Sequence, residues 1–127
     1  MADVKDVRAA ILGMRGKVPI EEYEIKGAGV IYIHGFTGQE KANWQKECRK
    51  KNGEIDSTLV EPLMFQMCVR DAKGKHLYKF ADVPKLMELP AAILGEVTDV
   101  CMRLSGMGEN ADEAIVKNLR QVEDGDS

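Results

Sequence analysis

A strong excess of one charge is missing from this sequence. Eighteen lysines and arginines stand against 21 aspartates and glutamates, giving a net charge of −3 and a pI near 5.4. That balance counts against a domain whose main work is holding nucleic acid, because neutralising phosphates needs a positive excess. Long apolar runs are missing too, so no segment offers the roughly 20 apolar residues of a membrane helix. The opening Met1-Ala-Asp-Val-Lys-Asp6 puts acids where a signal peptide carries a basic start and an apolar stretch, which argues against export. Cysteine is scarce. Cys48, Cys68 and Cys101 are odd in number, widely spaced and without a C-x-x-C pair, so they make no disulfide framework. They read as small apolar residues in a reducing compartment, and a cytoplasmic location is expected. With 12 glycines and 4 prolines in 127 residues the chain is not low-complexity, and it shows no internal repeat or linker. Its 44% hydrophobic content is enough to bury about two thirds of the unfolded surface. One domain is expected over residues 1–122, with residues 123–127 as an acidic tail that frays.

Catalytic machinery is the next absence. His34 and His76 fall in separate extended segments with no Cys, His or carboxylate at ligand spacing, which favours structural placement over metal binding. Gly27-x-Gly29 lacks the third glycine and the following helix of a dinucleotide site. Gly35-x-x-Gly38 precedes a helix but lacks the G-K-[ST] ending of a phosphate loop. Ser105-Gly106 closes a helix, with no strand leading into it as a nucleophile elbow requires. The carboxylates are dispersed, with no pair placed for acid–base work. No catalytic residue, cofactor site or metal site is expected, and the chain reads as a non-enzyme.

What is present is patterned for an α+β fold, mainly α, with a small N-terminal antiparallel β-hairpin. Val4, Val7, Ile11 and Met14 recur every three or four residues and predict a helix over 3–14, capped by Asp3. Tyr23 and Ile25 alternate with charges, Lys26-Gly-Ala-Gly29 supplies turn chemistry, and Val30-Ile-Tyr-Ile33 is β-branched and aromatic, which together predict the hairpin. The second strand is apolar on both faces, Val30, Tyr32, His34 and Phe36 on one and Ile31 and Ile33 on the other, so both faces should be covered. A helix apolar nearly all round is expected from near Asp56-Ser57 to Cys68, with Pro62 early in it. Asp71-Ala-Lys-Gly74 predicts a β-turn joining short extended pieces around Val69 and Leu77-Tyr78. Asp82 is expected to cap a short helix, with Pro84 in its first turn. Pro90 predicts a break at Leu89 and a fresh helix over 90–105. Its stripe of Leu89, Ile93, Val97, Val100 and Leu104, widened by Leu94 and Cys101, contributes on the order of 10 kcal/mol as an upper bound if those five are fully buried. Met64, Met67, Met87 and Met102 fall within apolar faces and are expected in the core. Gly106 closes the long helix, and a last helix starts at Asn110 with Ile115, Leu119 and Val122 on one face.

The helix predicted over 38–51 stands apart. Thr37-Gly-Gln-Glu40 is a capping box that starts it. Its apolar content is thin, and Lys41, Trp44, Lys46, Arg49 and Lys50 make a candidate partner-binding surface, with Trp44 as an amphipathic anchor among cations. On that reading, replacing Trp44 and Arg49 with alanine weakens partner retention without lowering the melting temperature. The other reading makes it a solvated helix whose Trp44 and Cys48, one turn apart, point to the core.

Three stretches in succession resemble the tail assembly chaperones of long-tailed bacteriophages and prophages. They are Glu22-Tyr-Glu-Ile-Lys-Gly-Ala-Gly-Val30 through Ile33-His-Gly-Phe-Thr-Gly-Gln-Glu40, Met67-Cys-Val-Arg-Asp-Ala-Lys-Gly74 with Leu77, and Val83 through Leu89-Pro-Ala-Ala-Ile-Leu94 to Leu104-Ser-Gly-Met-Gly108 and the Ala111–Asn118 helix. The resemblance implies a non-catalytic assembly factor without a cofactor, acting in the host cytoplasm and absent from the mature virion. It implies binding to the tape measure protein, a long helical chain prone to aggregation. It also implies promotion of major tail (tube) protein polymerisation around that chain, self-association into oligomers, and a frameshifted longer form of the same protein. Neither nucleic acid nor membrane is an expected partner. Two other classes stay open on the residues alone: a small DNA-binding transcriptional regulator, which would use the basic helix, and a small enzyme of unrecognised type.

Overall fold

In the computed structural model, residues 4–107 are described, and the element order is α1 (Val4–Leu12), β1 (Ile20–Ile25), β2 (Gly29–His34), α2 (Gly38–Glu47), α3 (Val60–Cys68), β3 (Val69–Arg70), α4 (Val83–Leu86) and α5 (Ala91–Leu104). The fold is α+β and mainly α. The helix expected from Asn110, the acidic tail and the domain boundary at 122 lie outside the described residues.

β1 and β2 form the expected antiparallel hairpin, in a register that sets Glu24 opposite Val30, Glu22 opposite Tyr32 and Ile20 opposite His34. Gly27 and Gly29 at its turn have φ of 85° and 133°, a region closed to most side chains. The hairpin gains a third strand that its own sequence does not announce. β3 pairs antiparallel with β2 through Tyr32–Arg70 and Ile33–Val69, and Arg70 bridges on to His76. The turn between them closes as expected, Gly74 N–H donating to Asp71 O at 3.0 Å.

Side chains alternate across the sheet. Tyr23, Ile31 and Ile33 face inward against α5, where the Tyr23 hydroxyl donates to Glu96 Oε2 at 2.7 Å and Arg103 pairs with Glu21 at 2.8 Å. Just past β2 the backbone at Gly35 runs close to α5, where an added Cβ would sit 2.8 Å from Leu104 O. The outward face departs from expectation. His34 is buried there and Tyr32 half-buried, but Ile20 and Val30 are exposed.

The core lies between sheet, α3 and α5. α3 buries Leu63, Met64, Phe65 and Cys68, and starts at Val60, later than expected, because Asp56 and Thr58 are taken up in a preceding turn. Its Pro62 falls in the first turn, where no intrahelical N–H is needed. α5 starts after Pro90 as predicted and ends at Gly106 (φ 75°), with Met107 N–H returned to Met102 O at 2.8 Å and Gly106 N–H to Arg103 O at 3.1 Å. Its buried face keeps Val97, Leu94 and Cys101 of the expected stripe and shifts toward Thr98 and Met102. Leu94, Val97, Thr98, Cys101 and Met102 are buried, while Leu89, Ile93, Val100 and Leu104 are half-buried at the margin, because the helix must meet both the sheet and α3. Met64 and Met102 are core as expected and Met67 is half-buried. Met87 is a correction: it sits past the end of α4, whose Val83 and Leu86 take the core, and is exposed. Asp82 likewise does not cap α4, since its carboxylate accepts the Lys79 N–H at 2.9 Å and closes the single 3-10 turn Phe80–Asp82 instead.

Candidate functional site

α2 is built by the capping box that its sequence spells. Glu40 N–H donates to Thr37 Oγ1 at 3.2 Å, and Thr37 N–H donates to Glu40 Oε1 at 2.9 Å. The helix stops at Glu47 rather than 51, because Asn52-Gly53 turns the chain back at once: Arg49 bridges to Ile55, and Lys50 N–H reaches Glu54 O at 2.6 Å. The basic run therefore does not lie along one helix. Lys41 is half-buried and Lys46 exposed, and five residues apart they point in directions about 140° different. Arg49 and Lys50 belong to the following turn, with Arg49 Nη1 donating to Gly53 O at 3.1 Å. Trp44 is fully buried. Its indole N–H donates to Val60 O at 3.0 Å, and its ring lies 5.9 Å from Phe36 at a tilt of 58°. Cys48 is buried beside it, so these two point to the core and Trp44 offers a partner no surface.

The other edge of α2 lines a groove. Glu40, Asn43 and Glu47, spaced three and four apart, share one helix side and face Leu63, Gln66 and Met67 on α3 across a space of about 590 Å³. His76 and Phe80 close one end. They are held there because Tyr78 stacks against Phe65 at 5.9 Å and its carbonyl accepts from Gln66 Nε2 at 3.1 Å. Phe80 is 60% exposed, unusual for an aromatic side chain beside an apolar floor.

Charge in the groove is partly neutralised. While one Glu40 oxygen completes the capping box, the other accepts from Arg70 Nη2 at 2.7 Å, tying α2 to β3. His34 is buried, and burial followed by the Arg70 guanidinium lowers its pKa, with Glu40 opposing and His76 adding to the fall. Glu47 remains an exposed acid on the rim. The thiols are poor nucleophiles: burial, with Asp56 and Glu47 nearby, pushes Cys48 up to about 12, and burial with the adjoining Cys101 pushes Cys68 well up. Among the described residues no three His, Cys, Asp or Glu side chains are grouped to hold a metal. Chemically, the groove offers apolar contact and amide hydrogen bonds with an acid at the edge. That suits an amphipathic polypeptide better than a reacting small molecule. Sequence reasoning passed over Asn43, Glu47, Gln66 and Phe80, and read Met67 as core and His76 as structural; the available signal was the three-and-four spacing of Glu40, Asn43 and Glu47.

No protein-family model matches the chain, and no curated protein matches it. Among solved structures its fold is similar to that of the bacteriophage HK97 tail assembly chaperone, with a TM-score of 0.55 and 10% identity, over 80% of this chain and 98% of that one.

Proposed function

We propose that this chain is a non-enzymatic phage tail assembly chaperone that binds the tape measure protein, keeps it soluble and promotes polymerisation of the major tail (tube) protein around it. The observation that carries the reading is the fold likeness, which runs through nearly the whole of the HK97 chaperone rather than through one shared motif. It agrees with the resemblance of the three sequence stretches, which was drawn from different information. The work would be done in the host cytoplasm and leave no copy in the mature virion. Self-association and a frameshifted longer form belong to the same reading.

We assign the client to the groove between α2 and α3. A tape measure helix laid there would bury an apolar face against Leu63, Met67 and Phe80 and set basic residues near Glu47. Each large side chain fully buried contributes about 1.5–3 kcal/mol, and release of the client requires several such weak sites along it rather than one tight one.

Co-expression with a tape measure protein tests the reading. The client should be soluble and co-purify with this chain, and should precipitate without it. Phe80→Ala with Glu47→Lys, both exposed, should lower retention while leaving the fold intact, and Lys41→Ala with Lys46→Ala should have the smaller effect. A client that stays insoluble in the presence of the wild-type chain refutes the chaperone reading, and full retention by the groove variant refutes the groove.

A further inference from the structure

The sheet is open along one side. Its order is β1–β2–β3, so β2 is paired on both sides and β1 on one. Gly35 N–H donates to Pro19 O at 2.9 Å, and antiparallel pairs alternate between hydrogen-bonded and non-bonded. Glu21, Tyr23 and Ile25 therefore direct their backbone groups at β2, while Ile20, Glu22 and Glu24 direct theirs away from it. Those three residues are exposed, and among the described residues no backbone partner meets their N–H and C=O groups. They line the free edge as alternating donors and acceptors.

An edge of this kind is usually closed by a proline, a lysine, a bulge or a charge turned inward. β1, Ile20-Glu-Glu-Tyr-Glu-Ile25, has no proline or lysine, and its register with β2 is unbroken. Its inward charge, Glu21, is met by Arg103 at 2.8 Å. The edge is left open, and its side chains give it a preference. Glu22 and Glu24 stand exposed on the outward side, while Tyr23 and Ile25 are half-buried against the core on the inward side. A second β1 laid there would bring glutamate against glutamate, which disfavours a copy of the same strand.

We infer that the free edge of β1 takes up an extended segment of a partner polypeptide in which lysine or arginine alternates with apolar residues. The added strand runs antiparallel, the more stable pairing. Its cations fall opposite Glu22 and Glu24, its apolar residues lie beside Tyr23 and Ile25, and the ladder fixes the register. This surface goes beyond the client groove. The groove adjoins β3 through His76, at the opposite edge of the sheet, and takes a helix where β1 takes a strand.

A synthetic peptide in which lysine and valine alternate over the length of β1 tests it, titrated into the full wild-type chain and followed by NMR. The peptide should bind and slow the amide exchange of Ile20, Glu22 and Glu24, while Glu21, Tyr23 and Ile25, already bonded to β2, change little. In the added strand the lysine backbone N–H groups face β1. Methylating those nitrogens should weaken binding about tenfold or more, since each ladder hydrogen bond is worth a factor of a few. Methylating the valine nitrogens, which face solvent, should leave it unchanged. Glu22→Lys with Glu24→Lys, both exposed and so without effect on melting, should reverse the preference toward a glutamate–valine peptide. The groove variant, Phe80→Ala with Glu47→Lys, should bind the lysine–valine peptide as wild type does. No binding, equal binding by the two methylated peptides, or protection spread over other strands would overturn the proposal. Loss of binding in the groove variant would also overturn it, by placing the peptide between α2 and α3.

Discussion

Trp44 separates two accounts of α2, and its removal has a size that follows from its surroundings. The side chain is fully buried, its ring packs on Phe36, and its N–H satisfies Val60 O from 3.0 Å. Truncating a buried tryptophan to alanine costs about 3–5 kcal/mol. Trp44→Phe keeps most of the volume but loses the hydrogen bond, about 0.5–1.5 kcal/mol, together with some packing, so about 2 kcal/mol is expected. For a domain of this size a urea dependence of about 1.5 kcal/mol per molar converts these to midpoint falls of roughly 2–3 M for Trp44→Ala and about 1 M for Trp44→Phe. Far-UV circular dichroism follows the variants. In the wild type, the emission of the only tryptophan should also shift to the red as Trp44 is exposed. Lys46→Ala, on the solvent side of the same helix, is the control and should move the midpoint by less than about 0.3 M. A Trp44→Ala midpoint equal to that of Lys46→Ala would refute the packing of Trp44 in the core.

Thr98 is buried with its hydroxyl unpartnered among the described residues, so Thr98→Val should be neutral or stabilise by up to about 1 kcal/mol in the same urea assay. His34, held below its ordinary pKa by burial and Arg70, takes up a proton more readily in the unfolded chain. Its contribution is therefore full above pH ~6.5 and is lost as pH falls through the folded pKa, so the urea midpoint should drop from pH 7 to pH 5 more steeply in wild type than in His34→Asn. The three thiols are buried, with Cys48 at about 12, so a thiol reagent at pH 8 should leave the native protein unlabelled and modify all three cysteines in urea. Labelling of native Cys48 would show that the turn after α2 opens.

Local signals were legible wherever one short stretch carried the whole instruction. Thr37 and Glu40 made their reciprocal cap, Asp71 and Gly74 closed their turn, Pro90 set the start of α5 and Gly106 its end. The hairpin was legible because its glycines and its alternation agree. β3 was not. Val69 and Arg70 follow α3 without a break in hydrophobicity, and they become a strand only because β2 offers them a free edge. The same dependence on partners explains α5. A four–four–three–four stripe widened by Leu94 and Cys101 identified the right helix and the centre of its buried side, but two neighbours at once, the sheet and α3, add Thr98 and Met102 and leave Leu89, Ile93, Val100 and Leu104 at the margin.

The site was harder to read for a physical reason. A run such as Lys46, Arg49 and Lys50 stands out in sequence because it is contiguous, yet contiguity is not proximity on a surface. Asn52-Gly53 reverses the chain early, α2 ends at Glu47, and the cations separate. The groove has the opposite character. Its walls come from residues far apart in sequence, Glu47 on one helix, Met67 on the next and Phe80 beyond a strand, none of them unusual alone. What brings them together is the Arg70–Glu40 pair and the Phe65–Tyr78 contact, both made after the chain has doubled back twice. A surface for holding another polypeptide needs no rare residue, only ordinary apolar and amide side chains left uncovered in the right place. Folding decides which are left uncovered, and here it leaves bare Phe80 at the groove and Ile20 and Val30 on the hairpin.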